Sequence, residues 1–485
     1  MHAAELLDRV RQETSKHVDS ALAHCGYHFH EGAARRGEPA LGRFFFDNES
    51  VPGLLALLNE RLPERAEQIA GEARRVCAHR FDLLGYREVD YGAVIDWQCD
   101  KVHGKSAPVV PFHRVPYLDY GTAGDPKVTW ELNRHQHFVT LAKAYRLTGD
   151  QRFAVEIDEQ WRSWRDANPY PAGINWASSL EVSFRCQSWL WTYFILSGSA
   201  AERGRFYNEV FDLLAVSAHH IERYLSTYSS PNTHLLGEGV GLFFIGTLCP
   251  QLKSARRWKS IGWSIVQREA QRQIRDDGMH FEQSTYYHVY ALDFLLHAMI
   301  LAERNGTIVS DELERTVSNM LDVLCRLCQS GPPKIGDEDG GRVFDGRRNR
   351  AEDLADPLAA GAILFRRADF KSLAGSLREE TLWLLGREGA GVWDDLSSVR
   401  PVNESCALRE SGLYFMGGAN AAQDVVIEAG PRHMLLAGHW HADALSLCMR
   451  VNGKAMLIDP GTGAYTGAGA ARSVFRGTSA HNTLQ

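Results

Sequence analysis

Long apolar runs are missing from this sequence. No stretch approaches the roughly 20 consecutive apolar residues that a membrane-spanning helix needs. The N-terminal segment MHAAELLDRVRQETSKHVDS is charged and amphipathic, and it lacks the apolar core of a secretory signal peptide. As written, the sequence therefore predicts a cytoplasmic protein without a membrane span. A periplasmic location would require that the N-terminus be incomplete.

An excess of positive charge is missing as well. The chain has 53 Lys and Arg residues against 60 Asp and Glu residues, which gives a formal net charge of −7. Domains that bind nucleic acid need a basic face, so this balance argues against a nucleic-acid partner. It does not exclude an anionic substrate, because a local cluster of Arg and His can hold one inside an acidic protein.

A cysteine framework is also absent. The nine cysteines are an odd number, and most stand singly in apolar helical segments, where a free Cys acts as a small core residue. Cys325 and Cys328 form a CxxC motif, but no second pair accompanies it. The sequence therefore excludes a disulfide scaffold and argues against a zinc or redox role for this motif.

Helical periodicity is abundant between residues 136 and 330. Paired amphipathic segments alternate with short Gly, Pro or Asn turns, and the pairs show no strict sequence repeat. This pattern predicts a helical toroid rather than a solenoid. A chain of 485 residues is too long for one core, and we assign residues 1–400 to this helical domain.

After residue 405 the period changes to two. Short β-branched and aromatic runs are separated by Gly turns, and Val-Asn-Gly-Lys at 451–454 predicts a β-hairpin. A β-sandwich normally needs about 100 residues or more. We therefore expect residues 405–485 to be the start of an antiparallel β-sandwich, and the chain to be a truncated version of a longer architecture.

Two histidines and an aspartate stand at alternate positions in HWHAD, just before a predicted strand: His439, His441 and Asp443. His441 also groups with Asp459 and His481, which lie in later turn segments. Two imidazoles and one carboxylate form a set that zinc binds readily. The alternative is that Asp459 caps the Asp-Pro-Gly turn and the histidines bond to loops.

The helical part contains two further candidate segments. Asn232 and His234 immediately precede a predicted helix, where backbone N–H groups favour an anion, although Asn232 could simply be the N-cap. The segment FEQSTYYHVY carries Tyr286, Tyr287 and Tyr290. Core aromatics usually explain such a stripe, but adjacent Tyr-Tyr-His residues cannot all face a core.

Aromatic, amide and Arg residues upstream suit a cleft for a sugar acid, because aromatic faces stack on sugar rings and Arg binds carboxylates bidentately. A plain helix salt bridge between Glu181 and Arg185 is the alternative. The candidate substrate-binding residues are Trp130, Asn133, Arg134, Glu181, Arg185 and Glu238.

Ordered motifs from about residue 80 to the C-terminus resemble the heparinase II/III-like polysaccharide lyases: WELNR, SSPNTHLLGEG, FEQSTYYH, GHWHAD, LIDPGTGAY and FRGTSAHNT. The resemblance implies an N-terminal incomplete (α/α) toroid followed by an antiparallel β-sandwich, with a cleft between them. It also implies a lyase that cleaves a uronic-acid-containing polysaccharide or oligosaccharide by β-elimination.

The resemblance further implies roles for individual residues. Asn232 and His234 would neutralise the uronate carboxylate, and His439 would be the second catalytic histidine. A Tyr or a His would remove the C5 proton, and a Tyr, best matched by Tyr287, would donate one to the leaving oxygen. The four would meet in one cleft. Thr233 stands where the family often has a second Asn. In relatives with a metal, the ligands match His441, Asp459 and His481, which implies a structural zinc. Asp443 would support either the turn or the metal ligands.

Two other functions compete with the lyase. A toroid glycoside hydrolase would need two carboxylates facing each other, and the available acids are Glu131, Glu181, Glu238 and Glu282. A non-catalytic or truncated glycan-binding protein would keep Trp and Arg but would not need Tyr287 or His439. The presence of these two side chains favours the lyase.

Overall fold

A computed structural model describes residues 3–27, 29, 41–329, 331–338, 341–344, 354–418, 423–430, 438–462 and 471–484. The chain divides into two compact units. The first is Met1–Ile265 with Val343–Gly346, and the second is Val266–Arg342 with Arg347–Gln485. This division lies earlier in the chain than the domain boundary predicted near residue 400.

The first unit is built from helices and two short antiparallel hairpins. The hairpins pair β1 (Arg80–Leu83) with β2 (Tyr86–Asp90), and β3 (Cys99–Asp100) with β4 (Lys105–Ser106). The helices are α1 (Ala3–His24), α2 (Val51–Arg61), α3 (Pro63–Cys77), α4 (Tyr120–Ala123), α5 (Pro126–Asn133), α6 (Gln136–Thr148), α7 (Gln151–Ala167), α8 (Ser179–Leu196), α9 (Arg205–Arg223), α10 (Thr233–Leu248) and α11 (Ala255–Gln273), which continues into the second unit.

The helix ends follow from local sequence. Gly149 ends α6 in the left-handed conformation at φ 72°, and the Asp150 side chain accepts the Arg152 N–H to begin α7. Helix α8 is buried along its whole length and lies against α6, α9 and α10. A helix with no exposed face lies in the middle of a helical assembly.

The second unit combines helices with a sheet. Its helices are α12 (Thr285–Arg304), α13 (Asp311–Cys328), α14 (Pro357–Leu364), α15 (Ala368–Ala374), α16 (Glu379–Asp395) and α17 (Ala471–Arg476). Its strands are β5 (Cys406–Leu408), β6 (Leu413–Gly417), β7 (Gln423–Glu428), β8 (Ser446–Val451) and β9 (Lys454–Leu457). They pair antiparallel in chain order as one five-stranded sheet.

The sheet is positioned by its turns and by one buried face. Asn452 and Gly453 have φ values of 49° and 76°, and Val451 pairs with Lys454, so the predicted hairpin is confirmed. Leu413 and Phe415 of β6 pack in a core with α13 residues. This packing explains why α13 belongs to the same compact unit as the sheet.

The predicted order of a helical part followed by antiparallel strands is confirmed. Among the described residues, no helix is both long enough and apolar enough to cross a membrane. All nine cysteines lie in the described part of the chain and are free thiols, which confirms that the protein is not a disulfide scaffold.

Candidate active site

Tyr287 and His439 are stacked in the second unit. Their ring centroids are 3.6 Å apart and their planes are 14° from parallel. Tyr287 lies in the first turn of α12, and the hydroxyl of the N-cap residue Ser284 accepts its backbone N–H at 3.1 Å. Both rings are buried. The structure therefore brings together two of the four predicted catalytic residues, 152 positions apart in the sequence.

The Asp337 carboxylate contacts His439 of this pair and also His441. Its Oδ2 lies 3.0 Å from His439 Nδ1 and accepts a bond of 2.8 Å from Arg472. Its Oδ1 lies 3.0 Å from His441 Nε2 and accepts a bond of 2.8 Å from the Thr462 hydroxyl. Burial alone would raise the pKa of this carboxyl, but the bonds from the two histidines and the nearby positive charges hold it well below its ordinary value. Asp337 is therefore an ionised acceptor.

The Asp337 backbone is fixed as firmly as its side chain. Its N–H donates to the His439 carbonyl at 2.8 Å, and its carbonyl accepts the Ser284 hydroxyl at 2.6 Å. Gly336 has a φ of 71°, and a Cβ there would lie 2.8 Å from the His439 carbonyl oxygen. Asp337 is not among the residues that the sequence singled out. The signal that the sequence itself offers is an acidic residue two positions after the apolar Ile335.

Glu282 flanks the other edge of the His439 ring. Its Oε1 lies 3.6 Å from His439 Nε2, and its Oε2 lies 3.9 Å from His280 Nδ1. Glu282 and His280 are fully buried. Burial, reinforced by neighbouring positive charge, holds the pKa of His280 well below its ordinary value. Two carboxylates, Asp337 and Glu282, thus flank one imidazole.

The three predicted metal ligands form a second cluster in this unit. His441, Asp459 and His481 are buried, and each offers a ligand atom within 4.8 Å of the others. Asp459 also accepts the Gly461 N–H at 3.0 Å, so it caps its turn as the alternative interpretation proposed. Its second oxygen lies 2.9 Å from His481 Nδ1. Two imidazoles and a carboxylate at this spacing match the donors that zinc prefers.

Two neighbours of this cluster have simpler roles. Asp443 is fully buried, and its carbonyl accepts the Ser446 N–H at 2.8 Å, at the start of β8. Cys448 lies near the carboxylate of Asp459, but burial raises the pKa of its thiol to about 12. This side chain is therefore a neutral thiol near pH 7.

Asn232 and His234 lie together in the first unit, at the start of α10. The Asn232 side-chain oxygen accepts the His234 N–H at 3.1 Å, so Asn232 is the helix N-cap. Capping uses the amide oxygen, and the amide nitrogen is the atom that would donate to a carboxylate. The assignment of both residues to carboxylate neutralisation stays a prediction.

Arg134 and Glu181 form a buried ion pair in the first unit. Arg134 donates to Glu181 at 2.7 and 2.9 Å, and to Glu131 at 2.5 Å. Burial would raise the pKa of Glu181, but the Arg134 guanidinium holds it below its ordinary value. The charges that the sequence suggested for substrate binding are thus engaged with one another.

Trp130, Asn133 and Arg185 are buried and bonded within the same unit. The Trp130 indole donates to the Ile174 carbonyl at 3.0 Å. The Asn133 amide donates to the Trp97 carbonyl at 3.0 Å. Arg185 donates to the Asn133 and Asn175 carbonyls and lies over a Trp ring. These contacts give the three residues a structural role, and their predicted substrate binding stays a prediction.

Glu238 of α10 anchors the segment that precedes its own helix. Its two carboxyl oxygens accept the backbone N–H and the hydroxyl of Ser226 at 2.7 and 2.6 Å. Burial raises the pKa of Glu238 from 4.5 to about 8. The carboxyl group is therefore mostly protonated near neutral pH, and its predicted role in substrate binding stays a prediction.

Replacing Glu238 by Gln should make the protein more stable at alkaline pH. A folded-state pKa raised above the unfolded value gives stability that is complete below about 4.5 and is lost as the pH rises towards about 8. The Gln variant has no such loss, and each kcal/mol recovered should raise Tm by roughly 2–4 °C. Thermal unfolding of both proteins across this pH range measures the difference in Tm. A difference in Tm between variant and wild type that does not change with pH would contradict it.

Comparison with known proteins agrees with these features. The chain matches two family descriptions, "Heparinase II/III N-terminus" over residues 13–331 and "Heparinase II/III-like, C-terminal" over residues 400–485. A heparin-sulfate lyase of Bacteroides stercoris is 25% identical over 437 residues, which are 83% of this chain and 57% of the relative. A heparin-sulfate lyase of Pedobacter heparinus is 29% identical over 334 residues, which are 66% and 44%. The chain thus spans about half the length of these curated relatives.

Solved structures show the same fold. A crystal structure titled heparinase III superposes with a TM-score of 0.65 at 20% identity, covering 86% of this chain and 62% of that one. A heparan sulfate lyase of Pedobacter heparinus gives 0.54 at 24% identity, covering 90% and 65%. The helical toroid and β-sandwich of the heparinase III structures confirm the predicted fold class. With both family descriptions matched over most of its length, the chain belongs to the heparinase II/III family.

Proposed function

We propose that this chain acts as a polysaccharide lyase that cleaves a uronic-acid-containing glycan, of the glycosaminoglycan class, by β-elimination. The stacked pair of Tyr287 and His439, held between buried carboxylates, is the observation that carries the proposal. Membership of the heparinase II/III family and the heparin-sulfate lyase activity in the names of the curated relatives support it.

β-Elimination breaks the C5–H and C4–O4 bonds of the uronate and forms a C4–C5 π bond and an O4–H bond. The C5 proton of the uronate leaves, its electron pair forms the C4–C5 double bond, and the C4–O4 bond breaks. The departing O4 then needs a proton. The Tyr287 side chain is suited to this transfer. As a phenolate it can take the proton from C5, and as the resulting phenol it can give a proton to O4, which returns it to its starting state. Its ring is already fixed in place by His439, so little orientation remains to be lost on substrate binding.

The C5 proton becomes acidic only when the adjoining carboxylate is neutralised. Polar donors aimed at that carboxylate stabilise the charge that develops on it. The family resemblance assigns this task to Asn232 and His234, one of which would donate through an amide and the other through an imidazole. Their place at the start of α10 supports the assignment, because a helix N-terminus favours an anion.

We infer a structural zinc ion on His441, Asp459 and His481. The burial of the three side chains and the 4.8 Å spread of their ligand atoms support this inference. When bound, the ion would tie Asp459, which follows β9, and His481, near the C-terminus, to His441, which lies two positions from His439. Such a link would stabilise the backbone that carries His439, because the free energy of binding a structural metal is free energy of folding.

A glycoside hydrolase fits the described contacts less well. Hydrolysis needs two carboxyl groups that face each other across the scissile bond, about 5–9.5 Å apart. Glu282 and Asp337 are close in space, but the His439 ring lies between them rather than a substrate. Glu131 and Glu181 are both engaged by Arg134.

The products of a glycan panel test the proposal. Heparin, heparan sulfate, hyaluronan, alginate and bacterial exopolysaccharides are incubated with the protein, and ultraviolet absorbance and new reducing ends are followed together. A lyase raises both, because the C4–C5 double bond conjugated to the carboxylate absorbs. A hydrolase raises reducing ends alone, and a binding protein raises neither.

A further inference from the structure

We propose that Asp337 is a positioning residue that sets the orientation of both His439 and His441, and so couples the Tyr287–His439 pair to the metal-ligand cluster. The expected effect on kcat rests on the proposed lyase function. The expected effects on zinc affinity and on the His439 ring position rest on geometry alone. Asp337 is fully buried and bonds one histidine through each carboxyl oxygen.

The two histidines meet Asp337 through different ring nitrogens. His439 uses Nδ1 and His441 uses Nε2, each at 3.0 Å. The Asp337 carboxylate also receives the Arg472 guanidinium and the Thr462 hydroxyl, so it acts as an acceptor and the two histidine nitrogens that meet it are donors. Asp337 therefore makes Nδ1 the nitrogen of His441 that can face a metal. A carboxylate that orients a ligating histidine in this way is a common support of metal sites.

The carboxylate itself has little freedom to turn. Thr462 donates to Oδ1, the oxygen that holds His441, and Arg472 donates to Oδ2, the oxygen that holds His439. Each oxygen thus receives two donors, which fills the accepting capacity of a carboxylate. Rotation about the side chain would break all four bonds together, so the two histidine orientations are linked.

Asp337 is also joined to the helix that carries the phenol. Its carbonyl accepts the Ser284 hydroxyl, and the same hydroxyl accepts the Tyr287 N–H. The Ile335 carbonyl accepts the Thr285 N–H at 3.0 Å. The loop that ends at Asp337 therefore holds the start of α12, which carries Tyr287, as well as the His439 ring. Both partners of the Tyr287–His439 stack are thus positioned by the same loop.

Asp337→Asn is the direct test, because it keeps the shape but replaces one accepting oxygen with a donor. We expect kcat to fall about 10–100-fold with KM nearly unchanged, and zinc affinity to fall about 10–100-fold. Saturating zinc should restore the metal content but not kcat, because the His439 bond is lost independently of the metal. The crystal structure of the variant should show the His439 ring displaced from Tyr287.

Glu338→Gln is the matched control. It removes one negative charge from the next residue, whose carboxylate pairs with Lys334 at 3.1 Å. We expect its kcat and zinc affinity to stay near wild type. If zinc fully restores kcat in Asp337→Asn, Asp337 acts through the metal alone. If Asp337→Asn has wild-type kcat and wild-type zinc affinity without added zinc, Asp337 has no positioning role. Either result overturns the proposal.

Two milder variants cover the case in which Asp337→Asn does not fold. Arg472→Met removes a donor from the His439 oxygen, and Thr462→Val removes one from the His441 oxygen. The first should lower mainly kcat and the second mainly zinc affinity, and equal effects of both would contradict the proposal. If the wild-type protein cleaves no glycan, the lyase proposal fails, while zinc affinity and the His439 ring position still decide the role of Asp337.

Discussion

Replacing Tyr287 by Phe should lower kcat about 10²–10⁴-fold, the usual contribution of a general acid or base. The substitution removes one oxygen and leaves the ring, so the stack on His439 should survive. KM should therefore change little, because the loss lies in the chemical step rather than in binding. Steady-state kinetics on the cleaved glycan measure both parameters.

Tyr286→Phe and Tyr290→Phe are the controls for this result. Both rings are buried in the same helix. Tyr286 points roughly 100° away from Tyr287, whereas Tyr290 points roughly 60° away and meets the Tyr287 ring edge-on at 5.5 Å. Both variants should keep kcat near wild type. If Tyr290→Phe loses activity while Tyr287→Phe keeps it, the proton-transferring residue is one helical step away. If all three variants stay active, no phenol in this helix transfers the proton.

Loss of the metal should have the second largest effect. Protein purified without chelator should contain about one zinc per chain, and His481→Gln should abolish it. The variant should also unfold at a lower temperature, since structural zinc sites contribute roughly 10 kcal/mol or more of binding free energy in the best-studied small domains. Elemental analysis and thermal unfolding, with and without added zinc, measure the two effects.

His297→Gln separates the metal from ordinary packing. His297 is a buried histidine of the same unit that bonds Glu380 at 2.8 Å and lies outside the metal-ligand cluster. The His297→Gln variant should be less stable than the wild type but should keep its zinc. Added zinc should stabilise the variant as much as it stabilises the wild type. Wild-type protein that contains no zinc, and that zinc does not stabilise, would contradict the metal assignment.

The sequence predicted those features that depend on neighbouring residues. Helix ends at Gly149 and Asp150 and the hairpin at Asn452–Gly453 follow from backbone preferences within a few positions. The metal-ligand cluster was predicted from spacing and family resemblance, and its side chains are close together. Asp337 was missed because its side-chain partners lie 102 to 135 positions away, and no local pattern encodes such distances.

Burial was the other property that the sequence could not give. Arg185 among Trp residues reads equally well as a sugar-binding cleft or as a core, because a guanidinium stacks on aromatic rings in both. In the structure it is fully buried over the Trp164 ring, and burial lowers its pKa to about 10. Only the tertiary packing of α8 distinguishes the two arrangements.

Cleavage in water enriched in heavy oxygen tests the central claim most directly. β-Elimination adds no water, so we expect both product ends to be free of the label, and the product with the new double bond to weigh one water less than its hydrolysed counterpart. Mass spectrometry of short products measures both. One heavy-oxygen atom at the new reducing end, with no unsaturated uronate, would show that the protein hydrolyses its glycan and would contradict the account.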